Sequence, residues 1–97
     1  MMMSGIPVFE IRYHPDVKHV DLPKINSKIK KRLKNAIETQ LMTAPHKYGE
    51  PLRKTLKGYW KLRVGDYRVV FRVQQNEIYI LGIIHRRQVY EKVDKRS

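Results

Sequence analysis

The sequence predicts an α+β domain of order β-α-α-β-β-β, with two N-terminal helices packed on one face of a mainly antiparallel sheet. Three observations carry this reading. Ile25, Ile29, Leu33, Ile37 and Leu41 recur every four residues, as on a helix with one buried stripe. From Tyr59 onward, β-rich segments alternate with short polar turns. The chain has 97 residues, 41% hydrophobic and 31% charged, which suits one folded domain over 1–97 and leaves no room for a second core.

The first strand is read at Pro7–Tyr13, where Val8, Glu10 and Arg12 alternate with Phe9, Ile11 and Tyr13. Pro15 and Asp16 suit a helix start, and Val17, Val20 and Leu22 give one short amphipathic turn. Pro23 opens the next helix, which runs from Lys24 to about Met42 and stops before Pro45, because a residue preceding proline disfavours helix. Residues 43–57, with two prolines and a glycine and no steady period, read as a loop. Tyr59–Val64 and Tyr67–Val73 flank Gly65-Asp66, a two-residue hairpin connection. After a Gln-Gln-Asn turn, Glu77–His85 is apolar at Ile78, Ile80 and Ile84 and also at Leu81 and Ile83. Such a strand belongs inside a sheet. The tail beyond Tyr90 turns polar.

Twenty-one Lys and Arg face nine Asp and Glu, a formal charge of +12. An anionic partner is expected to relieve the self-repulsion. Residues 51–97 carry a net +8 and residues 1–50 a net +4, so the anion-binding surface is sought in the second half. Cysteine is absent, which excludes disulfides, thiolate zinc sites and cysteine nucleophiles and agrees with a reducing compartment. His14, His19 and His46 lack ligand-like spacing, so no metal is expected. The longest apolar run, Ile78–Ile84, is too short to span a bilayer. MMMSGIP has no signal-peptide pattern. A cytoplasmic protein with no membrane partner is the expectation.

A two-residue loop dictates the hairpin register. Val64 should face Tyr67, Arg63 face Arg68, Leu62 face Val69, Lys61 face Val70 and Trp60 face Phe71. One face then collects Trp60, Leu62, Val64, Tyr67, Val69, Phe71 and Val73 as core. The other collects Tyr59, Lys61, Arg63, Arg68, Val70 and Arg72, with no carboxylate at the facing positions. Like charges directly opposite one another are unfavourable by up to roughly 1 kcal/mol per pair. The cationic face thus reads either as a solvated surface or as a phosphate site, for which arginine is well shaped; the phosphate site is the preferred reading.

Leu56–Val73 (LKGYWKLRVGDYRVVFRV) followed by Ile80–Tyr90 (ILGIIHRRQVY) resembles the C-terminal half of the RelE-like branch of the RelE/ParE superfamily of toxin–antitoxin toxins. The basic helix and the element order agree with it. The resemblance implies a ribosome-dependent mRNA endonuclease that cuts A-site codons through the RNA's own 2′-hydroxyl, with no metal or cofactor. It assigns Lys61 as the catalytic lysine, Arg63 as the basic residue two positions on, Arg68 as the phosphate-holding hairpin arginine, Arg86 as the arginine after the last strand, and Tyr90 as the residue on which a base stacks. Two departures stand out: Tyr59 and His85 occupy positions where RelE has lysines. The general base is then Lys61 or His85, histidine being better suited to proton transfer than arginine.

Each assignment has a plainer counterpart. His85 shares strand parity with Tyr79, Leu81 and Ile83 and reads equally as a core-edge histidine. Tyr90 reads also as an aromatic closing the core. Arg86 and Arg87 are adjacent, so in extended chain only one faces the site, and the motif favours Arg86. Lys28, Lys30, Lys31, Arg32 and Lys34 read as a wet helix face or, with Arg72, as backbone contacts to ribosomal RNA. Expected partners are the ribosome, mRNA and a cognate antitoxin with an acidic segment folding over the sheet or against the helices. The alternatives are a ParE-like toxin that inhibits gyrase and an impaired RNA-binding homologue.

Overall fold

The computed structural model describes residues 9–52 and 58–96. The proposed strand start at Pro7–Val8, residues 53–57 of the proposed loop, and Leu56–Lys57 of the motif lie outside them. The elements are β1 (Glu10–Tyr13), a helical turn at Val17–Asp21, α1 (Ser27–Ala36) continuing through a wider turn at Ile37–Leu41, α2 (Pro45–Tyr48) and β2 (Glu50–Pro51). Then come β3 (Trp60–Val64), β4 (Tyr67–Gln74), β5 (Glu77–His85) and α3 (Val89–Arg96). The sheet order is β1-β5-β4-β3-β2, with β1 parallel to β5 and the other neighbours antiparallel.

Asn26 starts α1 by accepting the Ile29 N–H at 2.9 Å, one of the donors that the first helical turn leaves unpaired. A strict four-residue spacing drifts by about 40° per step around a 3.6-residue helix. That drift explains the wider turn after Ala36, closed by Met42 N–H to the Ile37 carbonyl at 3.0 Å. It brings Ile37 and Leu41 back inward, 4% and 0% exposed. Pro45 ends this helix as expected, but it also opens α2, within the segment read as loop. Its fixed φ suits a first helical position.

The hairpin register is as derived, all five pairs from Trp60↔Phe71 to Val64↔Tyr67. Gly65 takes φ +60° in the turn, a conformation open to glycine at little cost. The next turn, Gln75-Asn76, has no glycine, and Gln75 sits at φ +56°. β5 lies between β1 and β4, as its two apolar faces require.

The strand parity expected of β5 is corrected by a bulge: Val70 pairs with Gly82 while Phe71 pairs with Ile80, leaving Leu81 extra. Ile78, Ile80 and Ile83 therefore face α1, together with Val17, Leu33, Leu41, Leu62 and Phe71. Leu81 and Ile84 face the other way. So does Tyr79, and His85 does not share its side.

The second sheet face, expected to be open, is partly roofed. Val89 and Val93 of α3 pack on Val70, Leu81, Ile84 and Leu52. The sequence-derived order ends on a strand and the tail is polar beyond Tyr90, yet two valines four residues apart suffice to seat this helix. At its end Arg96, with a side chain only 7% exposed, donates to both carboxylate oxygens of buried Asp21 at 2.8 Å. Asp21 also accepts the Ile83 N–H at 2.9 Å, and Arg96 reaches the Leu81 carbonyl at 3.2 Å. Those are main-chain groups of β5 beyond the end of β1, so the ion pair substitutes for the missing strand. A Cβ on Gly82 would lie 2.8 Å from the Arg96 guanidinium, so glycine leaves room for it.

Candidate nucleic-acid interface

The tip of the β3–β4 hairpin gathers the charges. Arg63 and Arg68 are direct cross-strand partners, hence on one face. Arg68 Nη1 donates to the carbonyls of Gly65 at 3.0 Å and Tyr67 at 2.9 Å, which fixes the guanidinium against its own turn. Burial, then the charges of Arg63 and Arg86, hold the Arg68 pKa below the usual arginine range, and the opposing pull of Asp66 and Glu50 is weaker. The cluster is thus a site of net cationic repulsion, where an anion is favoured.

Arg86 joins from the end of β5. It occupies a 3₁₀ turn, Arg86–Gln88, rather than extended chain, so adjacency no longer decides between Arg86 and Arg87. Its main-chain N–H bonds to the Asp66 carbonyl at 2.8 Å, and its Nε lies 3.7 Å from the Asp66 carboxylate. Lys61 projects from β3 on the parity of Arg63, opposite Val70. The expectation that no carboxylate faces these cations is corrected. Glu50 of β2 stands directly opposite Lys61, and Asp66 partners Arg86. A two-residue strand containing proline has no periodicity by which a sequence could announce it.

Arg32 approaches from α1, with Nη1 3.4 Å from the position a Cβ on Gly65 would take. No pattern in the sequence marks this contact, since a helix residue beside buried Leu33 reads only as surface. Lys28 and Lys31 stay exposed along the same helix.

Arg72 stands apart from the cluster. Its guanidinium lies 5.7 Å from the Tyr59 ring centroid and 5.6 Å from that of Tyr79, a cation–π arrangement. Tyr59, which replaces a lysine of the resemblance, thereby holds another cation in place. His85 is also elsewhere. It pairs with Tyr67 on the face of Val64 and Ile83, with its ring edge-on to Tyr67 at 5.8 Å. Its Nδ1 accepts the Arg87 N–H at 3.3 Å, capping the turn. Tyr90, 42% exposed, stands in the first turn of α3, which follows that 3₁₀ turn directly. Among the described residues no three His, Asp or Glu side chains cluster as a metal site, and no helix is long and apolar enough to cross a membrane.

Residues 11–90 match the family model described as the ParE toxin of the type II toxin–antitoxin system parDE. Toxin RelE of Mycobacterium tuberculosis (strain ATCC 25618 / H37Rv) is 33% identical over 72 residues, covering 72% of this chain and 74% of that one. Toxin RelG of the same strain is 30% identical over 74 residues, covering 74% and 85%. The toxin–antitoxin complex RelBE2 of Mycobacterium tuberculosis contains a chain that superposes with a TM-score of 0.74 at 27% identity, over 86% of this chain and 95% of that one. A cationic hairpin tip on this five-stranded scaffold, matched along most of its length, places the chain in the RelE/ParE family of type II toxin–antitoxin toxins.

Proposed function

We propose that this toxin cleaves mRNA on the ribosome, by attack of an RNA 2′-hydroxyl on the adjacent phosphate, and so arrests translation. The observation that carries the reading is the facing pair Arg63 and Arg68, with Arg86 drawn to the same tip and the carboxylates too weak to cancel them. Charge build-up on a pentacoordinate phosphate is what fixed guanidinium groups stabilise.

In this reading Arg68 and Arg63 hold the non-bridging oxygens. Lys61 takes the 2′-hydroxyl proton, because His85 lies on the opposite side of the sheet with Nδ1 engaged. The new 2′-oxygen–phosphorus bond forms as the bond to the 5′-oxygen breaks, leaving a cyclic phosphate. Arg86 offsets the charge on the departing oxygen, which solvent protonates. Tyr90 supplies an aromatic surface for a codon base. Arg32, Lys28, Lys31 and Arg72 contribute contacts to the RNA backbone. The partners are the ribosome, mRNA and a cognate antitoxin, and the site of action is the cytoplasm.

The description of the matching family model favours a second reading, a ParE-like toxin that inhibits gyrase. Induction in cells with mapping of mRNA 5′ ends decides between them. Cuts within translated codons support cleavage; intact mRNA with DNA damage selects gyrase.

A further inference from the structure

At the end of the sheet away from the hairpin tip, arginine and tyrosine alternate across neighbouring strands. Arg12 of β1 pairs with Tyr79 of β5, and Tyr79 pairs with Arg72 of β4. Direct partners share a face. The Arg72 guanidinium also reaches the ring of Tyr59, just before β3, and so lies between two rings, with centroids at 5.7 and 5.6 Å. The His14 ring, 6.4 Å from that of Tyr79 and tilted by 58°, ends the row.

The row is held from one side and open on the other. Tyr59 and Tyr79 pack against the edge of the cluster that contains Val70, Leu81 and, from α3, Val93. Both tyrosines are half-buried, whereas Arg72 is exposed. Among the described residues the Arg72 guanidinium has no carboxylate partner and no hydrogen bond, its contacts being the two rings. Arg12, by contrast, is tied to Glu77 at 2.9 Å. The adjoining residues on the same face are Glu10, Glu77 and Gln74. A phosphate is thus disfavoured at this end of the sheet, while a neutral ring meets two aromatic surfaces and a planar cation.

We propose that Tyr59, Arg72 and Tyr79 form a seat on which an unpaired nucleobase of single-stranded RNA stacks, a second foothold apart from the phosphate-holding tip. Arg72 stands four positions beyond Arg68 in β4, about 13 Å at a rise of about 3.3 Å per residue. Val70, between them on the same face, is covered by α3. RNA held at both places must therefore cross that helix, and the direct span equals about four nucleotides at the stacked spacing of about 3.4 Å. The seated base is thereby kept a set distance from the phosphate at the tip. Arg72 touches RNA through a base as well as through its charge. The inference rests on the chain taking RNA as its substrate, but not on the chemistry at the tip.

The test uses the full chain with a short 2′-O-methyl oligoribonucleotide, which has no free hydroxyl to attack the phosphate, and with its abasic counterpart of equal charge. By fluorescence anisotropy the parent should bind the base-bearing strand about tenfold more tightly than the abasic one. Tyr79→Leu keeps bulk and charge, and Arg72→Gln changes an exposed side chain; each should cut that preference by about fivefold. In the parent, NMR should show Overhauser contacts between base protons and the Tyr59 or Tyr79 ring, a readout that needs no variant. An unchanged preference in both variants, or base contacts confined to Tyr90, overturns the proposal. Failure to bind either strand overturns it together with the cleavage reading. Stacking on the seat with mRNA left intact in cells would refute cleavage and leave this inference standing, and codon cleavage without the ring contacts would do the reverse.

Discussion

Among the described residues, the hydrogen bonds of Arg68 leave from Nη1, so its Nε and Nη2 donors are the ones to take two phosphate oxygens. Under the proposed function, Arg68→Ala should therefore lower the rate of mRNA cleavage by roughly 10²–10³-fold, as for loss of one preorganised donor to a charged intermediate, with an unchanged circular dichroism spectrum. Arg68→Lys keeps the charge but not the fork and should fall between. Wild-type cleavage by Arg68→Ala would remove Arg68 from the mechanism. Gln75 carries a different burden, a left-handed backbone without glycine, which costs an L-residue about 1–2 kcal/mol. Gln75→Gly should raise the urea midpoint by the equivalent of up to about 1 kcal/mol, the relieved strain being partly offset by the entropy that glycine loses.

The β3–β4 hairpin was legible because two-residue loops permit one register, and side-chain alternation then puts Arg63 beside Arg68. The β5 parity was not, because a bulge at Leu81 shifts every following residue to the other face, and no residue type announces it. Nor was α3 legible, since six of its eight residues are polar and only Val89 and Val93 reach the core. Beyond those valines Arg96 seats it, paired with Asp21, 75 positions away in sequence, and with Asp16 at 3.5 Å. Removing Asp21 leaves the buried Arg96 guanidinium with only the half-exposed Asp16 carboxylate, 3.5 Å from its Nε, so Asp21→Ala should cost about 3 kcal/mol in urea unfolding, the low end for a broken buried pair. Gly82→Ala should displace the Arg96 guanidinium from the bulge and cost about 1–3 kcal/mol. A variant as stable as the parent would show that α3 is held by its valines alone.

Across the molecule the excess of twelve positive charges would, under the proposed function, make RNA affinity a matter of counterion release. The logarithm of the binding constant should fall linearly with the logarithm of salt concentration, and each cation lost from the interface should reduce that slope by roughly 0.7 for single-stranded RNA. Filter binding of Arg32→Gln against the parent checks whether the α1 arginine resting on Gly65 belongs to the interface; an unchanged slope would exclude it. The sheet itself is closed by a pairing of distant segments, Glu10 with Glu77 at one end of β1 and Tyr13 with Ile80 at the other. Both apolar layers draw on β5, through Ile78 and Ile80 on one side and Leu81 and Ile84 on the other. A polypeptide interrupted before Glu77 has neither layer. A toxin built this way would thus be inert as a nascent fragment, and every active molecule must first have had its last strand translated without interruption.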